Sequence, residues 1–344
     1  MTAKPAFDAK VLLGSIAGGR QLTEEEIFEG LDRMTEGEAT PAQMGAFLMG
    51  LRMRGETVDE LTGAARLLRA RMLPVSAPAD AVDIVGTGGD GLKTYNVSTC
   101  AALVAAGAGL VIAKHGNRSV SSLSGASDVL TALGVKIDLN PAQITDVVEK
   151  TGVAFLWAPM HHPAMKVWAP VRSELGLRTL FNLMGPICNP ANVKRQVVGV
   201  FAAQWVEPIA EVLAKLGSRH AWVVHGRDGL DELSTTGPTL VAELKDGAVS
   251  TFEVTPEDAG LARASLDALK GGDAAVNAAA LRDVLDGVAG AYRDIVLLNV
   301  GAALVVGGKA DDLRAGVALA AQSIDSGAAR AALERLIAAS RAVA

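Results

Sequence analysis

Aromatic side chains are scarce in this chain: Phe, Trp and Tyr together make up 4% of its 344 residues. Alanine and glycine are plentiful instead, a composition that suits helices lying close against a sheet. Cysteine is scarcer still. Cys100 and Cys188 sit in apolar or loop contexts without metal-like spacing, which points to free thiols in a reducing compartment. The five histidines, His115, His161, His162, His220 and His225, form no HExxH or other metal spacing. No Ser-His-Asp or Cys-His order emerges, so no side chain is assigned as a nucleophile. An excess of basic charge is also missing. The formal net charge of −6 argues against nucleic acid as a partner and requires any basic site to be local. No apolar run is long enough to span a bilayer, and the start, MTAKPAFDAKVLL, lacks the apolar core of a signal peptide. The expected setting is cytoplasmic, with no membrane partner.

What the chain does have is concentrated in residues 83–128. The apolar pair Ile84-Val85 leads into Gly86-Thr87-Gly88-Gly89-Asp90-Gly91, then Asn96-Val97-Ser98-Thr99 and an alanine-rich helix. A second apolar run, Leu110–Ala113, leads into Lys114-His115-Gly116-Asn117-Arg118 and the serines 119, 121, 122 and 124, before a helix beginning near Ser127-Asp128. Both segments have the order strand, polar glycine-rich loop, helix. Glycine lets backbone N–H groups approach a ligand, and helix N-termini add unpaired donors and a positive dipole end, so phosphate is the expected guest. One such loop is weak evidence, because tight strand–helix turns use glycine for geometry alone. Two within fifty residues, with Asn, Ser, Thr, Lys and Arg clustered in them, point to a polyphosphorylated sugar.

The flanking chain supplies a frame. Residues 1–73 read as helices: Thr23 and Glu26 have capping-box spacing, as do Thr57 and Glu60, while Thr40 precedes Pro41 and Gln43. Pro74–Asp80 reads as a linker. Strands are then expected at Val82–Val85, Leu110–Ala113, Val153–Trp157, Val197–Phe201 and Ala221–His225, with helices at 97–107, 127–134, 141–151 and 206–216 between most of them. That alternation predicts an α/β fold with a largely parallel central sheet flanked by helices. Ligands in such sheets bind beyond the carboxyl ends of the strands, where both polar loops fall. Residues 158–195 interrupt the pattern with expected helices near 163–169, 170–175 and 179–184, followed by an irregular loop through Gly185-Pro186 and Asn189-Pro190. Val241–Leu244 and Val249–Val254, joined through Asp246-Gly247, read as a β-hairpin. Residues 275–341 read as helical, with Ile295–Val306 a buried central helix.

GTGGD, NVST and KHGNRSVSS, in this order and at these spacings, resemble the anthranilate phosphoribosyltransferases of tryptophan biosynthesis, and the resemblance extends over nearly the whole chain. It implies a smaller, discontinuous all-helical domain, 1–73 with about 163–192, that forms a homodimer interface. It implies an α/β domain, 80–162 with 193–344, that carries the phosphoribosyl pyrophosphate and Mg²⁺ site. The phosphoribosyl pyrophosphate contacts carried over are Gly86, Gly89, Asp90, Thr94, Asn96, Val97, Ser98, Thr99, Lys114, His115, Gly116, Asn117, Arg118, Ser119, Val120, Ser121, Ser122 and Ala126. Anthranilate would meet Gly86, His115, Asn117 and Arg172, the last being the arginine of Ala169-Pro170-Val171-Arg172 that would hold the carboxylate. Without the resemblance, Arg172 would be read as a solvated helix arginine.

Asp231-Glu232 match the family's acidic pair, and with Ser98 they are the expected Mg²⁺ residues. A hard dication keeps several waters and uses one or two protein carboxylates. One departure is visible. The family commonly reads Gly-Ser-Ala-Asp or Gly-Ser-Ser-Asp where this chain has Gly125-Ala126-Ser127-Asp128, so Ala126 can reach phosphate only through its backbone.

The implied reaction displaces pyrophosphate from the anomeric carbon of phosphoribosyl pyrophosphate with the amine of anthranilate. The arylamine is neutral at pH 7, so positioning by Asn117 and Arg172 replaces acid–base catalysis. Two alternatives share the architecture. A pyrimidine nucleoside phosphorylase would carry a K-H-S-T-G-G type phosphate site, which is missing here. A non-catalytic nucleic-acid-binding relative would be basic and would have lost the acidic pair or KHGN. A Rossmann dehydrogenase fits less well still, since the first loop is not G-x-G-x-x-G with an acidic residue at the right distance.

Overall fold

A computed structural model describes residues 7–118 and 123–343. Four helices come first: α1 (Ala9–Ala17), α2 (Glu24–Thr35), α3 (Pro41–Arg54) and α4 (Val58–Arg71). There follow β1 (Val82–Gly86), α5 (Val97–Gly107), β2 (Ile112–Gly116), α6 (Ala126–Leu133), α7 (Pro141–Thr151), β3 (Val153–Trp157) and the single turn α8 (Ala158–His161). Next are α9 (Met165–Leu175), α10 (Phe181–Ile187), β4 (Arg195–Gly199), α11 (Val206–Lys215), β5 (His220–Gly226), β6 (Thr239–Lys245) and β7 (Ala248–Val254). The chain closes with α12 (Ala274–Leu285), α13 (Ala291–Val306), α14 (Leu313–Asp325) and α15 (Ala328–Ala342).

These elements form two compact units. One comprises the chain up to Leu73 together with His162–Cys188, and the other Pro74–His161 together with the chain from Asn189 onward. In the helical unit, Thr23, Thr40 and Thr57 each cap a helix and receive the reciprocal bond from Glu26, Gln43 and Glu60, as their spacing predicts. Glu60 is buried and reaches further. It accepts from the N–H groups of Leu22 (2.8 Å) and Thr57 (2.9 Å) and pairs with Arg54. Trp168 on α9 tilts against Phe181 of α10 and donates to Thr35 Oγ1 at 3.0 Å, pinning the later helices onto α2. The two helices expected at 163–169 and 170–175 are one, α9, which runs through Pro170. Proline's φ fits a helix, and the turn gives up a single N–H donor there. Gly185-Pro186, expected in an irregular loop, lies inside α10.

The second unit is built on a seven-stranded sheet in the order β3-β2-β1-β4-β5-β6-β7. β1 to β5 are parallel, while β6 and β7 add an antiparallel hairpin at one side. The hairpin turn is Asp246-Gly247, both with positive φ (49° and 84°), the two-residue geometry that matches strand twist. The turn lies at the amino ends of the parallel strands, because Lys245 pairs with His220. α13, buried along nearly its whole length as expected, packs with α5 and α14 and against β4. The alanines of α5 allow that close approach. From β1 the chain winds to β2 and β3 on one side, then returns to β4 and β5 on the other. The order of winding therefore reverses between β1 and β4, which is where open α/β sheets hold their ligands.

The second strand begins two residues later than expected, at Ile112. Gly109 takes φ +89° and the Leu110 N–H closes back on Ala105 O, so Leu110 belongs to the turn that follows α5, and Val111, whose carbonyl accepts from Val82 N–H, leads into the strand. Lys114, His115 and Gly116 are consequently strand residues, not loop residues.

Candidate active site

Gly86, the last residue of β1, is in register with Gly199, the last of β4. Above this pair sits Asp231, in the loop after β5. A Cβ on Gly86 would lie 2.3 Å from Asp231 Oδ2, and one on Gly199 would lie 1.6 Å from the Asp231 carbonyl oxygen. Two strands that end without side chains thus let an acidic loop settle directly on the reversal point. The first glycine loop wraps the same acid. Gly88 and Gly91 take φ +67° and +80°, and Gly88 N–H donates to Asp231 Oδ2 at 2.7 Å. Thr87 N–H donates to Gly199 O at 2.9 Å, tying the loop to β4.

Glu232 accepts from the backbone N–H of Ser98, in the first turn of α5, at 3.2 Å. Lys114 reaches the same turn from β2, donating to Ser98 Oγ at 3.1 Å and to Ile84 O at 2.6 Å. Ser98, Asp231 and Glu232 are therefore brought together, with Lys114 beside them. Asp90 joins the group as a neighbouring negative charge beside Asp231. Burial, with the Asp90 charge beside it, pushes the Asp231 carboxyl up to about 7. Burial and then Asp231 push Glu232 up to about 8. The Lys114 ammonium is lowered by burial, against the opposing pull of Asp83, Glu232 and Asp231. These are acids crowded together in a way that a divalent cation would relieve. Among the described residues, no three His, Cys, Asp or Glu side chains form a ready-made metal cage. Such a donor set suits a hard ion that brings its own waters and shares a phosphate.

Under Lys114 lies a buried polar layer that the sequence did not single out. Asp83 accepts from His115 N–H at 3.1 Å and from Asn189 Nδ2 at 2.7 Å, and Asn189 Nδ2 also donates to Ala113 O at 2.8 Å. Burial raises the Asp83 carboxyl to about 6 despite the Lys114 charge. The only sequence signal was an acid set inside an apolar strand.

The remaining candidates divide. Asn96 ends the first loop, and Val97, Ser98 and Thr99 open α5. Thr94 forms an isolated bridge with Lys270. Asn117 accepts from Arg118 N–H at 2.8 Å and its carbonyl from Ser127 N–H at 3.3 Å. Arg118 lies over the Trp157 ring at 5.5 Å. Gly116 is needed for space, since a Cβ there would meet the Phe155 ring at 2.7 Å. Ala126 starts α6 with its methyl group against the core. The Ser127 hydroxyl, displaced by one position from the family pattern, is fully buried without a protein partner among the described residues. It has gone inward and does not replace a loop hydroxyl. Ser119, Val120, Ser121 and Ser122 lie outside the described residues. Arg172 belongs to the helical unit, on α9. It is partly buried, stacks over Phe181 at 5.6 Å and has no carboxylate partner among the described residues.

Glycine loops and buried carboxylates at the reversal point of a parallel sheet define an α/β transferase that handles an anionic, metal-chelating substrate. Two family models match, the "Glycosyl transferase family, helical bundle domain" over residues 10–72 and the "Glycosyl transferase family, a/b domain" over 78–330. Among curated proteins, an anthranilate phosphoribosyltransferase of Rhodopseudomonas palustris is 62% identical over 97% of this chain and 99% of its own. Another, from Bradyrhizobium sp., is 61% identical over 97% and 99%. Among solved structures, the Thermus thermophilus anthranilate phosphoribosyltransferase superposes with a TM-score of 0.91 at 43% identity, covering 97% of this chain and 100% of that one. The Saccharomyces cerevisiae enzyme, solved in complex with PRPP and Mg, gives 0.89 at 28% identity, covering 97% and 98%. The chain belongs to the anthranilate phosphoribosyltransferase family.

Proposed function

We propose that this chain transfers the phosphoribosyl group of phosphoribosyl pyrophosphate to the amine of anthranilate, releasing pyrophosphate, as a step of tryptophan biosynthesis. The observation that carries this reading is the Asp231–Glu232 loop seated on Gly86 and Gly199, with Ser98 and Lys114 within hydrogen-bonding reach of one another beneath it. A pyrophosphate leaving group needs this combination of oxygen ligands, backbone donors and a buried ammonium.

Mg²⁺ held near Ser98, Asp231 and Glu232 would supply charge neutralisation for the departing pyrophosphate. The protein's own groups do the rest. The Gly88–Gly91 turn and the first turn of α5 offer backbone N–H groups to phosphate oxygens. Lys114, already anchored by Ile84 O and Ser98 Oγ, adds a fixed positive charge that stabilises the leaving group as the C–O bond lengthens. Arg172, without a carboxylate partner among the described residues, is suited to receive that of anthranilate in a bidentate grip. Asn117 would hold the amine. No general base is required, because the arylamine lone pair is free at neutral pH; the rate comes from alignment and leaving-group stabilisation. The helical unit, with Val11 and Met53 exposed on α1 and α3, is the surface through which two copies would pair.

Anthranilate fluorescence tests the assignment. The signal should fall only when enzyme, phosphoribosyl pyrophosphate and Mg²⁺ are all present. Persistence of the signal with folded protein, together with phosphate-dependent cleavage of pyrimidine nucleosides, would move the chain to the phosphorylase branch.

A further inference from the structure

Asn96 is the residue at the N-cap position of α5, and asparagine there ordinarily turns its side chain onto the helix. Here it does not: no side-chain bond caps α5. The amide is held elsewhere. Asn96 Oδ1 accepts from Asn277 Nδ2 at 2.9 Å, and Asn96 Nδ2 donates to Ser124 O at 3.1 Å. Asn277 lies on α12, 181 residues away in sequence, and is 1% exposed. Its own Oδ1 accepts from Gly272 N–H at 2.7 Å.

This chain of bonds has a fixed direction. The Gly272 N–H can only donate, so Asn277 must present oxygen to it and nitrogen to Asn96. Asn96 must then present oxygen to Asn277 and nitrogen to the Ser124 carbonyl. Each amide orientation is dictated by the one before, and the last bond ties the end of the first loop to the end of the second. The surroundings hold the relay in place. Gly271 N–H donates to Lys93 O (2.9 Å) and Tyr95 N–H to Leu269 O (3.0 Å). Tyr292, stacked on Tyr95 with ring centroids 4.3 Å apart, donates from its hydroxyl to Asn96 O at 3.2 Å. A Cβ on Gly271 would meet Asn277 Oδ1 at 2.8 Å and Thr94 O at 2.9 Å, so only glycine lets the two segments approach this closely.

We propose that Asn277 is a positioning residue for phosphoribosyl pyrophosphate, which it orients by locking the Asn96 amide away from α5 and against the second loop. With the cap side chain withdrawn, the N-terminal turn of α5 stays open to phosphate, and the spare Asn96 Nδ2 hydrogen has one direction in which to point. This rests on the reading that Asn96 lies in the phosphoribosyl pyrophosphate site.

The test is a double-mutant cycle in the full-length enzyme, with KM for each substrate and kcat measured for Asn96→Ala, Asn277→Ala and the pair. Loss of one buried hydrogen bond in the relay should raise KM for phosphoribosyl pyrophosphate about tenfold in Asn277→Ala. KM for anthranilate should stay within about twofold, and the double variant should be no worse than Asn96→Ala alone. Asn277→Asp separates positioning from support. It keeps the size and the acceptor for Gly272 but sets an oxygen against Asn96 Oδ1, so KM for phosphoribosyl pyrophosphate should rise as in Asn277→Ala, in protein that circular dichroism shows to be folded. It also serves if the alanine variant fails to fold. A normal KM in Asn277→Asp, or multiplicative effects in the cycle, would overturn the proposal while leaving Asn96→Ala impaired. An unimpaired Asn96→Ala would instead remove Asn96 from the site and overturn both readings.

Discussion

Gly86 and Gly199 end adjacent parallel strands in register, and Asp231 occupies the space where their side chains would be. The acid is positioned by the lack of two methyl groups. Gly199→Ala places a Cβ 1.6 Å from the Asp231 carbonyl oxygen, so the loop must lift. The expected outcome is a fall in kcat/KM of about a hundredfold, since displacements near 1 Å cost that much in a preorganised site. Stability should fall by about 1–3 kcal/mol from overpacking. Steady-state kinetics and urea unfolding check both, and wild-type turnover in the variant would show that the loop does not need its seat.

Asp231→Asn and Glu232→Gln keep the shapes and remove the charges. Wild-type protein should gain thermal stability on adding Mg²⁺ with pyrophosphate, by about 3 kcal/mol at a hundredfold excess over Kd. Each variant should gain far less. Differential scanning fluorimetry with and without EDTA reads this directly, and equal gains in all three proteins would place the metal elsewhere.

Asp83 gives a pH signature. Its folded pKa, about 6, stands above the value near 4 of an unfolded aspartate. Its contribution is therefore complete below about pH 4 and is lost as pH rises through 6, by roughly 2–3 kcal/mol at most. Asp83→Asn begins less stable, because one amide cannot accept from both His115 and Asn189. The difference between wild type and variant should nevertheless shrink from pH 4 to pH 7. Urea unfolding across that range decides, and a constant difference would mean that Asp83 does not titrate there.

Arg172→Ala should raise KM for anthranilate at least about tenfold, the value of a charge-assisted hydrogen bond. KM for phosphoribosyl pyrophosphate should be little changed. The fold should lose little, because no carboxylate among the described residues is left unpaired. Arg172→Lys should recover only part of the affinity, since an ammonium cannot make the two-pronged contact.

Much of this site was legible because glycine, hydroxyl and charged residues were clustered where an apolar strand stopped. The capping boxes of Thr23, Thr40 and Thr57 were equally readable, being local three-residue geometry. Contacts that cross the chain were not. Gly199 ends an apolar strand and Asn277 interrupts an alanine-rich helix, and neither carries a local signal, because each matters only through a partner far away in sequence. Lys114 reads as a loop residue because the strand boundary depends on the turn at Gly109 that follows α5. Asp90 was read as a phosphate contact, and its proximity to Asp231 emerged only once the glycine loop was folded around that acid.

The β6–β7 hairpin gives the molecule a handle. Its Asp246-Gly247 turn is exposed and lies at the amino ends of the parallel strands, while Gly86, Gly199 and Asp231 gather at the carboxyl ends. The strands themselves, each about five to seven residues long, separate the two. A short peptide tag, a dye or a surface-tethering group inserted between Asp246 and Gly247 would therefore report on the protein, or immobilise it, from the opposite end of the strands to Gly86, Gly199 and Asp231.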